Sequence, residues 1–331
     1  MNLPVPLSLE PMEAEPVSEL PDADGWVFEP KYDGFRCVVF RDGTEVALQS
    51  RRQRPLVRFF PEVEAAVAAL PVRRFVLDGE LIIPGESFEM LQMRLHPAAS
   101  RIAKLSRDHP AGFVAFDLLC DPAGHSLLDR GFAERRAALE RLFGSLGSQS
   151  VMVLAPETHS VAEARRWLKD GGNRLDGIVA KRVDLPYLPG RREMLKYKLW
   201  QTVDCVVAGA YCKSGTTHIE YLLLGLYDRE GRLDYVGRCG VDDQAIDARL
   251  RPLMRRGGFT GNAPGGPSRW SRKEREVTPI EPSLVVEVSA DHITGGKFRH
   301  GSRLVRWRED KDPRRCTMDQ IGRAGQGIEV P

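Results

Sequence analysis

A chain of 331 residues is too long for one ordinary hydrophobic core and is expected to form two domains. With 42% hydrophobic and 28% charged residues and no apolar run long enough to cross a bilayer, it has a soluble globular profile; its six Cys, none in C-x-x-C spacing, suggest neither a zinc site nor a disulfide framework. The net charge of +2 decides nothing about nucleic acid, because a basic face can be balanced by an acidic one, and the opening MNLPVPLSLEPMEAEP lacks the basic-then-apolar order of a signal peptide, so a cytoplasmic protein is expected.

Residues 1–24 are Pro-rich and acidic and read as an extended lead-in rather than a packed element. From Trp26 the texture changes to strands, WVFEPKYDG, FRCVVFRDG and TEVALQS, with a hairpin turn at RDGTE. Apolar residues at helical spacing predict a helix over Pro61–Leu70, followed by the strands RRFVLDGELII and GFVAFDLLC. Two more helices are expected, over Gly131–Phe143 and over Ser160–Asp170, the second opened by Ser160 with Glu163 three residues later. Strands return at DGIVAKRV and MLKYKLW. A boundary is placed near Leu199–Thr202, giving domains 1–200 and 201–331. Beyond it come five short strands, VDCVVAGAY, YLLLGLYD, RLDYVGRCG, SLVVEVSA and RLVRWRED, with one helix over Asp243–Met254 and a Gly/Pro-rich segment over Gly257–Pro267. That texture suggests a small closed barrel such as an OB-fold. Arg is dense at Arg51 to Arg54, Arg269 to Lys273 and Arg303 to Arg315, compatible with phosphate contacts.

The first chemical signal is Glu29-Pro30-Lys31-Tyr32-Asp33-Gly34-Phe35-Arg36, a Lys at a strand end followed by an Asp-Gly turn. Such a Lys can point its amine into a cleft. A lysine of reference pKa about 10.4 is almost wholly protonated at neutral pH, and lowering that value by about 3 units takes about 4 kcal/mol of differential electrostatics. A nucleophilic Lys therefore needs other cations or a metal beside it, with partial burial. Taken alone, the same pattern also describes an exposed turn.

Lys31-x-Asp33-Gly34-x-Arg36 resembles motif I of the covalent nucleotidyltransferases, which include DNA ligases, RNA ligases and mRNA capping enzymes. The other family motifs follow in order. Ser50-Arg51 resembles motif Ia, Leu77-Asp78-Gly79-Glu80 motif III, Phe116-Asp117-Leu118-Leu119 motif IIIa, Asp176 to Lys181 motif IV, Lys196-Tyr197-Lys198 motif V, and Arg308-Glu309-Asp310-Lys311 motif VI. The set is most similar to an ATP-dependent DNA ligase, and Arg94 to Arg101 resembles a loop of the small bacterial ligase C type, in which His96 is expected to be structural. The resemblance implies an α+β fold: an adenylation domain of antiparallel sheets with flanking helices, then an OB-fold barrel. It also implies roles. Lys31 forms the phosphoamide with AMP taken from ATP. Glu29 sits near the adenine amino group, Arg36 and Glu80 at the ribose hydroxyls, and Phe116 and Val179 on the two adenine faces. Glu80 and Asp176 are hard oxygen ligands for Mg²⁺ or Mn²⁺. The family usually has Glu at the Asp176 position, so a metal contact through water is implied there. Lys196 and Lys198 offset charge at the α-phosphate. Arg308 and Lys311 close over the β- and γ-phosphates. Ser50, Arg51 and Lys181 are expected to contact DNA.

The implied reaction has three displacements at phosphorus: lysyl-AMP formation, AMP transfer to a nick 5′-phosphate, and attack by the 3′-OH. One barrel serving all three steps is expected to swing about a hinge near Leu199–Thr202. Residues 1–24 are too short for an additional DNA-binding domain, so a nick in duplex DNA would be gripped mainly through phosphates. This points to a monomeric repair enzyme aided by a DNA end-binding protein or a repair polymerase. The rivals are an RNA ligase or a GMP-transferring capping enzyme, and, from another class, a nucleic-acid-binding module with an inactive catalytic domain. The D-G-I-V-A-K and R-E-D-K forms favour the DNA ligase.

Overall fold

The computed structural model describes residues 1–147, 151–171, 175–198, 200–265, 275–290, 293–299 and 301–321. The Arg269 to Lys273 cluster and part of the Gly/Pro-rich segment lie outside them. The chain divides into two compact units, Met1–Lys198 forming the body of the first and Leu199 beginning the second.

In the first unit the apolar runs resolve into two sheets. Nine strands are β1 (Glu13–Val17), β2 (Trp26–Lys31), β3 (Phe35–Asp42), β4 (Glu45–Ser50), β5 (Arg74–Ile82), β6 (Gly112–Cys120), β7 (Met152–Leu154), β8 (Gly177–Arg182) and β9 (Arg192–Tyr197). They form a five-stranded sheet in the order β4-β3-β5-β6-β7 and a four-stranded sheet in the order β1-β9-β8-β2. Strand β3 explains why its sequence is apolar without alternation. Cys37 and Val39 face a core shared with Phe60, Val63 and Leu139, whereas Val38 and Phe40 face a second core with Met12, Tyr187 and Met194. A strand covered on both faces has no wet side to carry polar residues. Helices α1 (Pro61–Ala69) and α4 (Phe132–Leu146) supply Val63, Val67, Leu139 and Leu142 to the first core. At roughly 1.5–3 kcal/mol for each fully buried apolar side chain, these contacts dominate the unit's stability.

The N-terminal lead-in differs from its expected character. Strand β1 pairs in parallel with β9, and Val5, Leu9 and Met12 are buried in the core between the sheets. The many Pro and acidic residues hide a short apolar set that packs only because the four-stranded sheet offers an edge. Helices α2 (Phe88–Gln92) and α3 (Ala99–Asp108) were also not foreseen. They flank Arg94, which is wholly buried and binds the Phe59 and His109 carbonyls and both oxygens of Glu62. In the same loop His96 Nδ1 accepts the Ala98 N–H, a local structural bond. Helix α5 (Val161–Gly171) begins as expected: the Ser160 hydroxyl accepts the Glu163 N–H, while Glu163 accepts the Thr158 hydroxyl instead of turning back to Ser160.

The second unit contains β10 (Gln201–Cys212), β11 (Ile219–Tyr227), β12 (Leu233–Gly240), α6 (Gln244–Leu250), β13 (Thr278–Pro279), β14 (Val285–Ala290), β15 (Ile293–Thr294), β16 (Lys297–Phe298) and β17 (Arg303–Trp307). Five long strands run in the order β12-β11-β10-β14-β17, with β13 on β10 and β15–β16 a separate hairpin. The five expected strands are present, but the closed barrel is not. Among the described residues β12 and the segment before β17 share the isolated Cys239–Ser302 bridge and two bonds from Ser302 to the Arg238 carbonyl but no strand ladder, so the strand order stays open. Val206, Leu222, Leu224, Val236, Leu250 and Val286 form its core.

His218 ties the loop before β11 to α6, with Nδ1 2.6 Å from Asp247 Oδ2 and Nε2 3.3 Å from Asp242 Oδ1. The Asp247 hydrogen bond raises the His218 pKa. Burial pushes Asp247 up, but the Ile219 N–H and His218 pull it below the usual carboxylate range. The His contribution to stability is complete below about pH 6.5 and is lost as pH rises through the raised folded value. The Asp contribution is complete above about pH 4 and is lost as pH falls through the lowered one. His218→Ala should therefore destabilise the second unit most between about pH 4 and 6.5, read as the difference in urea midpoint from the unsubstituted protein. A difference that does not vary with pH would reject this pairing.

Candidate active site

Strand register gathers the motifs. In the four-stranded sheet Glu29 lies opposite Val179, which lies opposite Lys196, while Lys31 lies opposite Gly177 and Val27 opposite Lys181. Opposite residues, and residues two apart on a strand, share a face. Lys31, Glu29, Val179, Lys181 and Lys196 therefore project from one face. That face looks toward the five-stranded sheet, since Val179 and Met194 pack with Val38, Phe40 and Val76. From the opposing sheet Arg36 and Glu80 lie opposite each other and share the parity of Val38 and Val76. The site is the cleft between the two sheets, beyond their common apolar cluster.

Lys31 Nζ bonds Asp176 Oδ2, and Lys198 Nζ lies 3.4 Å from Asp176 Oδ1. Desolvation, followed by the charges of Lys31 and Lys198, lowers the Lys196 pKa. Three lysines and one carboxylate thus share this corner. Burial pushes Glu80 up to about 7 against the opposing charges of Arg36 and Lys31, so Glu80 also neighbours the Lys31 ammonium. Glu80 and Asp176 are hard oxygen donors beside Lys31. No set of three or more His, Cys, Asp or Glu with metal-holding geometry occurs among the described residues. The donor set fits an ion that takes two protein carboxylates and completes its shell with phosphates and water, the habit of Mg²⁺.

Phe116 is placed by a β-bulge. Gly79 pairs with Ala115 and Asp78 with Asp117, which leaves Phe116 as the extra residue of β6. Bulges re-aim side chains in this way. Phe116 borders a small cluster of Tyr32, Ile82, Val114 and Ala155, with the Arg36 guanidinium 4.5 Å from its ring centroid. Glu29 is 3% exposed; its Oε2 lies 2.7 Å from Lys181 Nζ, and its Oε1 has no hydrogen-bond partner. Burial raises the Glu29 pKa and Lys181 opposes that rise. A buried acceptor left open is costly unless a ligand donor fills it.

Lys181, expected at DNA, is buried. It is 3% exposed, donates to the Phe116 carbonyl at 3.2 Å and lies over the Phe116 and Phe132 rings. Strand alternation carries it onto the cleft face, where it is the ion-pair partner of Glu29. Ser50 and Arg51 are at the surface. The Ser50 hydroxyl accepts the Arg54 N–H in a tight loop, and the Arg51 side chain is 59% exposed, 3.8 Å from Glu13.

Several supporting residues were not singled out from sequence. Asp78 is fully buried, grips Arg36 with two bonds of 2.6 Å and accepts the Tyr187 hydroxyl at 2.6 Å. Tyr187 in turn accepts the Met12 N–H. Asp117 forms a buried fork with Arg135. Their signal was an acid inside an apolar strand, which demands a buried cation. Gly177 has a reason beyond a turn: its φ is +143° and a Cβ there would collide with the Tyr197 carbonyl, so β8 and β9 approach closely beside Lys31. Gly34 is equally constrained by the Leu81 carbonyl.

In the second unit Arg308 and Lys311 converge on Asp204. Arg308 Nη1 lies 2.9 and 3.0 Å from its two oxygens and Lys311 Nζ 2.6 Å from Oδ2. Asp310 takes the other edge of the guanidinium at 2.9 and 2.8 Å and is itself lowered to about 2, chiefly by that bond.

Residues 11–198 match the family model described as ATP dependent DNA ligase domain, and residues 215–311 match the ATP dependent DNA ligase C terminal region. DNA ligase C2 of Mycolicibacterium smegmatis is 42% identical over 346 residues, covering 97% of this chain and 96% of that protein. DNA ligase C of Mycobacterium tuberculosis is 41% identical, covering 98% of this chain and 96% of that protein. Among solved structures, a mycobacterial DNA ligase D complexed with ATP and MES aligns with a TM-score of 0.50 at 29% identity, covering 94% of this chain and 98% of that one.

Proposed function

Because the chain belongs to the ATP-dependent DNA ligase family, we propose that it seals 5′-phosphate/3′-OH nicks in duplex DNA through AMP carried on Lys31. The observation that carries the residue assignment is the corner in which Lys31 and Lys198 both contact Asp176, with Lys196 close enough to feel both of their charges.

ATP enters as substrate. Its adenine stacks on Phe116, displacing the Arg36 guanidinium toward the ribose, with Val179 on the other face. The open Glu29 Oε1 accepts the exocyclic amine. Guanine presents a carbonyl at that position and would leave two acceptors facing each other, so the pocket selects ATP over GTP. Arg36, held by Asp78, and Glu80 take the ribose hydroxyls. Lys31 Nζ loses a proton, for which Asp176 Oδ2 is the contacting acceptor, and attacks the α-phosphorus. The N–P bond forms as the α–β bridge breaks and pyrophosphate leaves. Lys196 and Lys198 hold positive charge against the equatorial oxygens as the transition state develops. Glu80 and Asp176 would hold a divalent cation, Mg²⁺ or Mn²⁺, which when bound supplies Lewis-acid charge at the phosphates. Arg308 and Lys311 act on the β- and γ-phosphates in this first step. The nick phosphate then attacks lysyl-AMP, and the 3′-OH displaces AMP from the activated end. Ser50 and Arg51 take phosphate contacts on the DNA.

Organisation as domains 1–200 and 201–331, hinged near Leu199–Thr202, belongs to the same reading. So does a monomer working in the cytoplasm, at the nucleoid, in DNA repair beside an end-binding protein or repair polymerase. The test is incubation with Mg²⁺ and α-labelled ATP or GTP, then with nicked duplex DNA. An acid-labile AMP adduct that discharges into a sealed strand is expected. An adduct only with GTP, or one that never transfers to DNA, would reject the proposal.

A further inference from the structure

We infer that Asp204 is a positioning residue for the first chemical step: it presets Arg308 and Lys311 before ATP arrives. The inference rests on the reading that these two cations act on the β- and γ-phosphates.

Arg308 and Lys311 follow β17, in a stretch rich in charge, while Asp204 sits early in β10, more than a hundred residues away in sequence. One carboxylate nevertheless serves both cations, at 2.9 and 3.0 Å from Arg308 and 2.6 Å from Lys311. Asp204 is itself anchored. Its N–H donates to Gln320 Oε1 at 3.2 Å and its carbonyl accepts Gln320 Nε2 at 3.1 Å. Its strand pairs with β14, where Glu287 stands opposite it. The Arg308 N–H is fixed to the Val285 carbonyl on that same strand at 2.9 Å. Glu287 does not substitute for Asp204, because it is engaged by Arg306 at 2.6 Å and lies 3.8 Å from Arg308. Asp310 holds only Arg308, through the opposite edge of its guanidinium.

Long cationic side chains lose much rotamer freedom when fixed, and two cations side by side repel. Without the shared carboxylate both effects oppose assembly of the pair at the moment of reaction. With it they are already met by contacts within the second unit itself, which is the physical content of preorganisation. The remaining steps, on DNA, expel no pyrophosphate and do not draw on this arrangement.

The experiment compares full-length Asp204→Asn and Asp204→Ser with Arg308→Ala, Lys311→Ala and the Asp204→Asn/Arg308→Ala double variant. Two rates are measured: AMP transfer from α-labelled ATP to the protein, and closure of a pre-adenylylated nick. Both Asp204 variants should slow adenylylation about tenfold to a hundredfold, with a raised KM for ATP, and leave closure of the pre-adenylylated nick within about threefold. The double variant should be little slower than Arg308→Ala alone, since the residues act as a unit. If Arg308→Ala and Lys311→Ala slow adenylylation but neither Asp204 variant does, the inference fails and the reading of the cations stands. If neither cation variant slows adenylylation, that reading fails. Equal loss of both rates in both Asp204 variants, or full additivity in the double variant, would make Asp204 merely structural and overturn the inference.

Discussion

Replacing Lys31 by Ala should abolish the acid-labile AMP adduct altogether and with it sealing of an ordinary nick. The effect is total because the atom lost is the one that bonds to phosphorus; no neighbouring charge can stand in for a missing nucleophile. Lys31→Arg should fail as completely, since a guanidinium stays protonated and offers no free amine. Closure of a pre-adenylylated nick should survive in Lys31→Ala to within roughly a factor of ten, because the 3′-OH then attacks an anhydride that is already made. This asymmetry separates loss of the nucleophile from loss of the cleft. Adenylylation measured by gel with α-labelled ATP, beside closure of the pre-adenylylated substrate, gives both numbers. Should the adduct persist in Lys31→Ala, the nucleophile is a neighbour, and Lys198, which contacts Asp176, and the adjacent Lys196 become the candidates.

The second large effect concerns stability. Arg135→Ala should weaken the first unit by about 3–5 kcal/mol, the usual result of stranding one member of a buried ion pair. Arg135 is fully buried; it meets Asp117 at 2.7 and 2.9 Å and donates to the Arg130 and Leu185 carbonyls at 2.6 and 3.0 Å. Its removal leaves the buried Asp117 without its cation and takes a donor from two part-buried carbonyls. The apolar double replacement Asp117→Leu with Arg135→Met, often harmless for an isolated buried pair, should recover most of that loss, because the Arg130 and Leu185 carbonyls are only part-buried and can turn to water. The cost reaches the cleft, since Asp117 adjoins the bulged Phe116 and α4, which carries Arg135, begins at Phe132 under Lys181. Urea unfolding followed by a probe confined to the first unit checks the prediction. A loss below about 1 kcal/mol for Arg135→Ala would mean that water replaces the guanidinium and that the site is not sealed.

The sequence by itself determined the strand texture, the order of the motifs and hence the family, because each rests on residues a few positions apart. A Lys at a strand end before Asp-Gly, a run of alternating Lys at 196 and 198, and acids inside apolar strands are local patterns written by strand periodicity and by the intolerance of buried charge. What only the tertiary structure decided is which faces meet. Strand alternation places Lys181 on one side or the other of β8, but only pairing with β2 and packing against the second sheet make that side interior, so the residue expected at DNA became the buried partner of Glu29. The lead-in looked unpacked because its composition is that of a loop, and it became strand β1 because the edge of β9 supplied hydrogen-bond partners that composition does not register. Asp78 with Tyr187, Asp117 with Arg135, and Asp204 with Arg308 and Lys311 each unite residues far apart in the chain. Side-chain charge announces that a partner is needed; register and packing alone choose which partner it is.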